Sequence, residues 1–274
     1  MYYFDIGIDN TFDLNKTMEC GQCFHYIKCE ENKYIVFGAN CTCEVMQFSD
    51  ILRIWCDSDK EEYWKDYFDF NADYSEIIMS LREHCIENND LFGMKSIENG
   101  MGIHILNQPY FETACSFILS QQNNIPRIQK MVFGISEKYG REKVEYEGRE
   151  YFCFPWRRDL SAATIEELEK LGLGYRAKYL NKFVENWPNI IDRVKFDYCS
   201  DFELFKSCYG IGDKVSNCIC LYGLHETDAF PIDVWMKRIL KEEYTDKGLT
   251  FIMPKENAGI LQQFMFYTKR NLRI

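Results

Sequence analysis

The stretch Gly210-Ile-Gly-Asp-Lys214 constrains this chain more than any bulk property. Its two glycines let the backbone reverse direction within a few residues, at angles other residues resist. The spacing on either side predicts two helices joined by a tight turn over about residues 202–224, the second opening near Lys214. A third helix, Val234-Trp-Met-Lys-Arg-Ile-Leu240, follows Pro231-Ile-Asp233. Aspartate before a helix is a strong N-cap, because its carboxylate accepts from the free N–H groups of the first turn.

The chain has 274 residues, enough for one large domain or two smaller ones. It is 46% hydrophobic and 16% aromatic, ample for a packed core. No apolar run approaches the ~18 residues a membrane span needs, so no membrane partner is expected. Met1-Tyr-Tyr-Phe-Asp-Ile6 lacks the basic and apolar regions of a secretory signal, and the cytoplasm is the expected compartment. The 13 cysteines then read as reduced thiols. Cys20-Gly-Gln-Cys23 with Cys41-Thr-Cys43 could hold zinc, but small buried side chains are the favoured reading, and no metal is expected.

Residues 1 to about 50 carry short apolar and aromatic runs: Tyr2 to Ile8, Cys23 to Cys29, Tyr34 to Phe37 and Asn40 to Met46. Short turns between them favour an antiparallel sheet. A helix is expected from Tyr74 to Asn88, and helical spacing dominates from about residue 100. Pro126 suits the first turn of a helix carrying Ile128, Met131, Val132 and Ile135 on one side. Thr164-x-x-Glu167 reads as a capping box and Gly172 as a stop. Pro254 is expected to open the last helix. The fold class is therefore α+β. An antiparallel module spans 1–98, and a mainly helical module spans 99–274.

Gly-x-Gly-x-Lys alone describes many helix–helix turns. Asp233, 19 residues after Lys214, makes the pattern far more specific. Net charge of −11 argues against nonspecific binding of nucleic acid. Backbone N–H groups at a helix N-terminus can nevertheless hold a phosphate with few cations. On the residues alone, a non-catalytic DNA-binding hairpin and a cysteine-based redox or zinc protein stay open.

The stretch 202–240 resembles the helix-hairpin-helix-Gly-Pro-Asp superfamily of DNA glycosylases, and within it the 8-oxoguanine DNA glycosylases. Gly210-Ile-Gly-Asp-Lys-Val-Ser-Asn-Cys-Ile-Cys220 carries the resemblance, which continues over most of the chain. It implies a base-excision-repair glycosylase with an associated lyase activity, acting on duplex DNA with an oxidised guanine opposite cytosine. Lys214 would be the nucleophile and Asp233 the assisting carboxylate. An amine attacking deoxyribose C1′ yields a Schiff base that permits β-elimination, and this chemistry requires no cofactor. An alkylated-base specificity within the same superfamily is the alternative; its members usually lack the lysine.

The resemblance also implies how the flipped base is read. Glu19-Cys-Gly21-Gln-Cys-Phe24 matches a Gly-Gln-x-Phe segment whose glycine carbonyl accepts the N7 proton that 8-oxoguanine has and guanine lacks. Gln262 and Phe266, sharing a helix face, would bind the base edge and stack on the ring, with Cys218 as the opposite wall. Gln122, Asn123 and Asn124 would fill the vacated stack, Gln122 standing where many members have asparagine. Arg127 and Arg176 would read the estranged cytosine and Tyr175 would be the wedge. Gly210 and Gly212 would bring backbone N–H groups to a phosphate. Trp235 departs from the family's phosphate-binding histidine. No cysteine follows Cys220, which excludes the usual C-terminal iron–sulfur cluster. A monomer bound to duplex DNA is expected.

Overall fold

The computed structural model describes residues 2–271; residue 1 and residues 272–274, the outer ends of the two expected modules, lie outside them. Five strands form one antiparallel sheet: β1 (Tyr2–Gly7), β2 (Tyr26–Glu30), β3 (Lys33–Phe37), β4 (Thr42–Gln47) and β5 (Ile51–Cys56), in the order β1-β5-β4-β3-β2. Alternation places one face inward. Cys43 and Val45 of β4 and Leu52, Ile54 and Cys56 of β5 are buried, and Val45 pairs with Ile54. Helix α1 (Leu14–Glu19) and α2 (Glu61–Tyr67) cover that face through Leu14, Met18, Trp64 and Tyr67, all nearly inaccessible to solvent.

The remaining helices are α3 (Tyr74–Glu87), α4 (Leu91–Gly100), α5 (Tyr110–Leu119), α6 (Ile125–Tyr139), α7 (Arg157–Leu160), α8 (Ile165–Lys170), α9 (Arg176–Ile191), α10 (Tyr198–Lys206), α11 (Asp213–Gly223), α12 (Val234–Ile239) and α13 (Ala258–Asn271). They share one large core. Packing crosses residue 98: Ile78, Leu81 and Ile97 from α3 and α4 join this helical core, as do Cys20 and Phe24 from the N-terminal segment. Side-chain caps start many of these helices. Asp73, Asp90, Asn124, Thr164, Asp197 and Asp233 each accept from a first-turn N–H, a contact of about 1 kcal/mol.

The α+β class and the sheet-then-helices order agree with the sequence, and the capping box at Thr164 is present. Helices α1, α2 and α4 and strand β5 were not legible, nor was a separate hairpin of β6 (Lys143–Tyr146) and β7 (Arg149–Phe152). Its turn, Glu147-Gly148, has φ of +50° and +73°, the two left-handed residues that a tight hairpin requires. Pro254 does not open the last helix. Asn257 stands at φ +57°, outside helical geometry, and α13 begins after it at Ala258. Strand β2 likewise starts at Tyr26, because Gly21 to His25 run as a loop into the helical core.

Candidate active site

The reversal between α10 and α11 rests on Gly210, whose φ is +81°. A Cβ there would lie 2.4 Å from the Tyr179 ring, so both conformation and space require glycine. Gly212 adopts extended backbone and N-caps α11 without a side chain, facing open space. The first N–H groups of α11 therefore point outward with no intrahelical partner.

Lys214, in the first turn of α11, is half-buried. Its Nζ donates to Ser120 Oγ at 2.9 Å and sits 5.2 Å from the centre of the Phe117 ring. Phe117 stacks on Tyr222 and meets Phe24 edge-on, so the amine rests on an aromatic floor. Cys218, one turn along α11, is buried, and burial pushes its thiol up to about 11 although the nearby Lys214 charge pulls the other way. Asp233 caps α12 by accepting from Met236 N at 2.8 Å. That bond uses Oδ1 and fixes the carboxylate at the rim of the same cleft.

The cleft has a volume of about 680 Å³. Gly21, Lys214, Asp233, Trp235 and Phe266 line it, together with the Ser120–Asn124 turn. Its charged groups are Lys214, Lys237 and Arg270 against the single carboxylate of Asp233. A chain of net charge −11 thus gathers a local cationic excess here, as an anionic ligand requires. Gln262 and Cys218 stand behind this surface. Gln262 is 3% exposed, and its Oε1 is buried with no hydrogen-bond partner among the described residues. A buried amide oxygen left unpaired is costly, and a donor arriving from a ligand would relieve it.

Gly21 reaches the cleft from the end of α1, at φ +99°, a conformation that L side chains rarely adopt. The loop is pinned by its neighbour. Gln22 is fully buried and donates through Nε2 to Thr17 O at 3.0 Å and His104 O at 2.7 Å. Its Oε1 accepts from Leu106 N at 2.9 Å, and its backbone oxygen from Gln108 Nε2 at 2.9 Å. Farther along the loop, His25 Nδ1 lies 2.6 Å from Glu112 Oε1 of α5, both buried. Sequence reasoning missed Gln22, His25, Glu112 and the role of Ser120. Their partners lie far away along the chain, and no local pattern reports them.

The turn before α6 is equally constrained. Gln122 stands at φ +48° and is exposed. Asn123 donates to Leu119 O at 3.1 Å, and Asn124 caps α6 by accepting from Arg127 N at 3.0 Å. Tyr175 is 46% exposed, and its hydroxyl donates to Gln121 O at 3.3 Å. The two arginines differ. Arg127 is exposed and reaches only Gly172 O at 3.4 Å. Arg176 is buried, and its guanidinium donates to the carbonyls of Gln121, Gln122 and Leu173. Burial holds its pKa below the usual value. In this state Arg176 braces the turn, and Arg127 alone of the pair is open to a ligand.

Trp235 lines the cleft, with the Arg238 guanidinium 5.2 Å from its ring. Cys20 and Cys23 are both buried. Burial pushes the Cys20 thiol up to about 12 and the Cys23 thiol up to about 11, favouring the protonated form. Among the described residues, no three His, Cys, Asp or Glu side chains gather at metal-binding distance. No helix among them is long and apolar enough to cross a membrane.

Family models match two consecutive segments. Residues 5–114 match the 8-oxoguanine DNA glycosylase N-terminal domain, and residues 115–253 match the HhH-GPD superfamily of base excision DNA repair proteins. The chain belongs to the 8-oxoguanine DNA glycosylase family. Members of this glycosylase family resemble it in fold and sequence. The 8-oxoguanine glycosylase/lyase of Clostridium acetobutylicum, solved with double-stranded DNA bearing cytosine opposite 8-oxoguanine, superimposes with a TM-score of 0.84 at 30% identity. That match covers 97% of this chain and 94% of the other. An N-glycosylase/DNA lyase of Saccharomyces cerevisiae is 36% identical over 160 residues, covering 52% of this chain and 42% of the yeast protein. A probable N-glycosylase/DNA lyase of Methanothermobacter thermautotrophicus is 26% identical over 274 aligned positions, covering 87% of this chain and 85% of the archaeal one. The chain thus spans less than half of the yeast relative and most of the archaeal one.

Proposed function

We propose that this protein is a bifunctional glycosylase/lyase that removes 8-oxoguanine from duplex DNA, preferentially opposite cytosine. The observation that carries the reading is convergence. Gly21, Ser120, Lys214, Asp233 and Phe266, drawn from five separate segments, meet in one cationic cleft over an aromatic floor. An enzyme acting on a base must take it out of the stack, which calls for such a pocket.

The chemistry follows from the groups. Lys214 Nζ in its neutral form attacks C1′ of the flipped nucleotide. The C1′–N9 bond breaks, and the base leaves with the electron pair and takes up a proton. The amine loses its own protons as the sugar ring opens to a Schiff base. Removal of a C2′ proton then expels the 3′ phosphate. Asp233, held by its cap bond at the rim, stabilises the positive charge that develops on the sugar. Ser120 Oγ accepts a hydrogen bond from the amine and aims it. The Gly21 carbonyl accepts the N7 proton of the lesion; guanine would present a lone pair there and lose that bond. Phe266 stacks on the base and Gln262 pairs with its edge, ending the isolation of its buried Oε1. Arg127 reads the estranged cytosine, and the outward N–H groups of the Gly210–Gly212 turn hold a phosphate.

Incubation with duplexes carrying 8-oxoguanine opposite each of the four bases, and with an alkylated purine, tests the reading. Fastest excision of 8-oxoguanine opposite cytosine is expected. Faster release of the alkylated base would overturn it.

A further inference from the structure

Helix α13 presents Gln262, Phe266 and Arg270 at four-residue spacing, one continuous stripe. The third of these, Arg270, lines the cleft and reaches the end of α1. Arg270 Nη2 donates to Glu19 O at 2.5 Å and Nη1 to Cys20 O at 3.3 Å. These are the two carbonyls immediately before Gly21. The guanidinium also borders the cleft: a methyl group added at Gly21 would stand 3.1 Å from Nη1 and 3.6 Å from the Phe266 ring. Gln263 Nε2, in the next position round the helix, donates to Cys20 O at 3.3 Å, and its own Oε1 accepts from Tyr222 at 2.5 Å. The loop is thus tied on one side to α1 and to residues 104–108 by Gln22 and on the other to α13 by Arg270.

We propose that Arg270 is a positioning residue that sets the distance between the Gly21 carbonyl and the Phe266 ring, and so governs discrimination of 8-oxoguanine from guanine. The inference rests on the proposed function above. A single hydrogen bond to N7–H separates the two bases, and a hydrogen bond weakens steeply with distance and angle. Glycine at φ +99° has no side chain with which to fix its own peptide. A planar fork bridging the two preceding carbonyls supplies that restraint from the helix that carries the stacking ring. Lysine can carry the charge but lacks the planar fork, so it does not fix the two carbonyls in one relative orientation.

The test uses the full-length protein and its variants R270Q and R270K. Single-turnover excision from an 8-oxoguanine·cytosine duplex is compared with cleavage of a preformed abasic-site duplex, which offers no base to read. Thermal unfolding checks each variant. The expected result is a loss of excision that exceeds the loss of abasic-site cleavage by at least tenfold, in R270K as well as R270Q. Equal loss on both substrates, or wild-type behaviour in R270K, would overturn the inference and leave Arg270 as a structural or purely charged group. A wild-type protein that cleaves abasic sites but spares 8-oxoguanine would instead refute the proposed function.

Discussion

The Lys214 amine donates to the Ser120 hydroxyl at 2.9 Å, across 94 residues of chain. The bond joins the first turn of α11 to the end of α5 and points the amine into the cleft. A hydrogen bond between neutral groups contributes about 0.5–1.5 kcal/mol, and here it aims the neutral amine that attacks. Replacing Ser120 by alanine is therefore expected to slow base excision by about threefold to tenfold, with little change in DNA affinity. Single-turnover rates at saturating enzyme, set beside equilibrium binding, check this; an unchanged rate would remove Ser120 from the site.

Asp233 combines a cap with a charge, and two substitutions separate them. Asparagine caps about as well as aspartate, whereas alanine forfeits about 1 kcal/mol. D233N is expected to unfold at the wild-type temperature yet excise at least a hundredfold more slowly. D233A should lose both stability and activity. Thermal melts with excision rates decide it, and full activity in D233N would show that the carboxylate serves only the helix.

The two arginines that sequence treats alike should part company. Arg176 is buried against three carbonyls, so R176A leaves unpaired acceptors and is expected to cost about 2 kcal/mol of stability. Excision should fall whatever the opposite base. Arg127 is exposed, and R127A should leave stability within about 0.5 kcal/mol while flattening the preference for cytosine. Melting temperatures and a four-base excision panel provide the readout.

Glu226 makes stability depend on pH. Its carboxyl oxygens are buried without a partner among the described residues, and burial together with the Asp201 charge raises its pKa from 4.5 to about 7. A carboxyl with a raised folded-state pKa binds more protons folded than unfolded, so its contribution falls as pH rises between those two values. E226Q removes the titration. Screening of a half-buried group reduces the effect to on the order of 1 kcal/mol. Unfolding of both proteins at pH 5 and pH 8 should show the glutamine variant gaining on the wild type at the higher pH. A constant difference would mean that Glu226 does not titrate in this range.

The order of helix, glycine turn, lysine and capping aspartate is local, and propensity, capping and turn chemistry all report it, so α10 to α12 were readable from residues 202–240. Gly21, Gln262 and Phe266 were legible only through resemblance, because nothing near them in sequence states that α13 meets the end of α1. What stayed hidden is of one kind. Gln22, Ser120 and Arg270 meet the His104 carbonyl, the Lys214 amine and the Glu19 carbonyl, 82 to 251 residues away, and such contacts leave no periodicity. Arg176 was legible by residue type, but its burial against the carbonyls of the turn after α5 was not, because that depends on how α9 packs there.

Borohydride reduction during reaction with an 8-oxoguanine·cytosine duplex tests the central claim most directly, because it captures the Schiff base itself. The wild type should give a covalent protein–DNA adduct attached through Lys214, found by peptide mapping, and K214Q should give none while retaining its fold. An adduct on any other residue, or trapping undiminished in K214Q, would contradict the account.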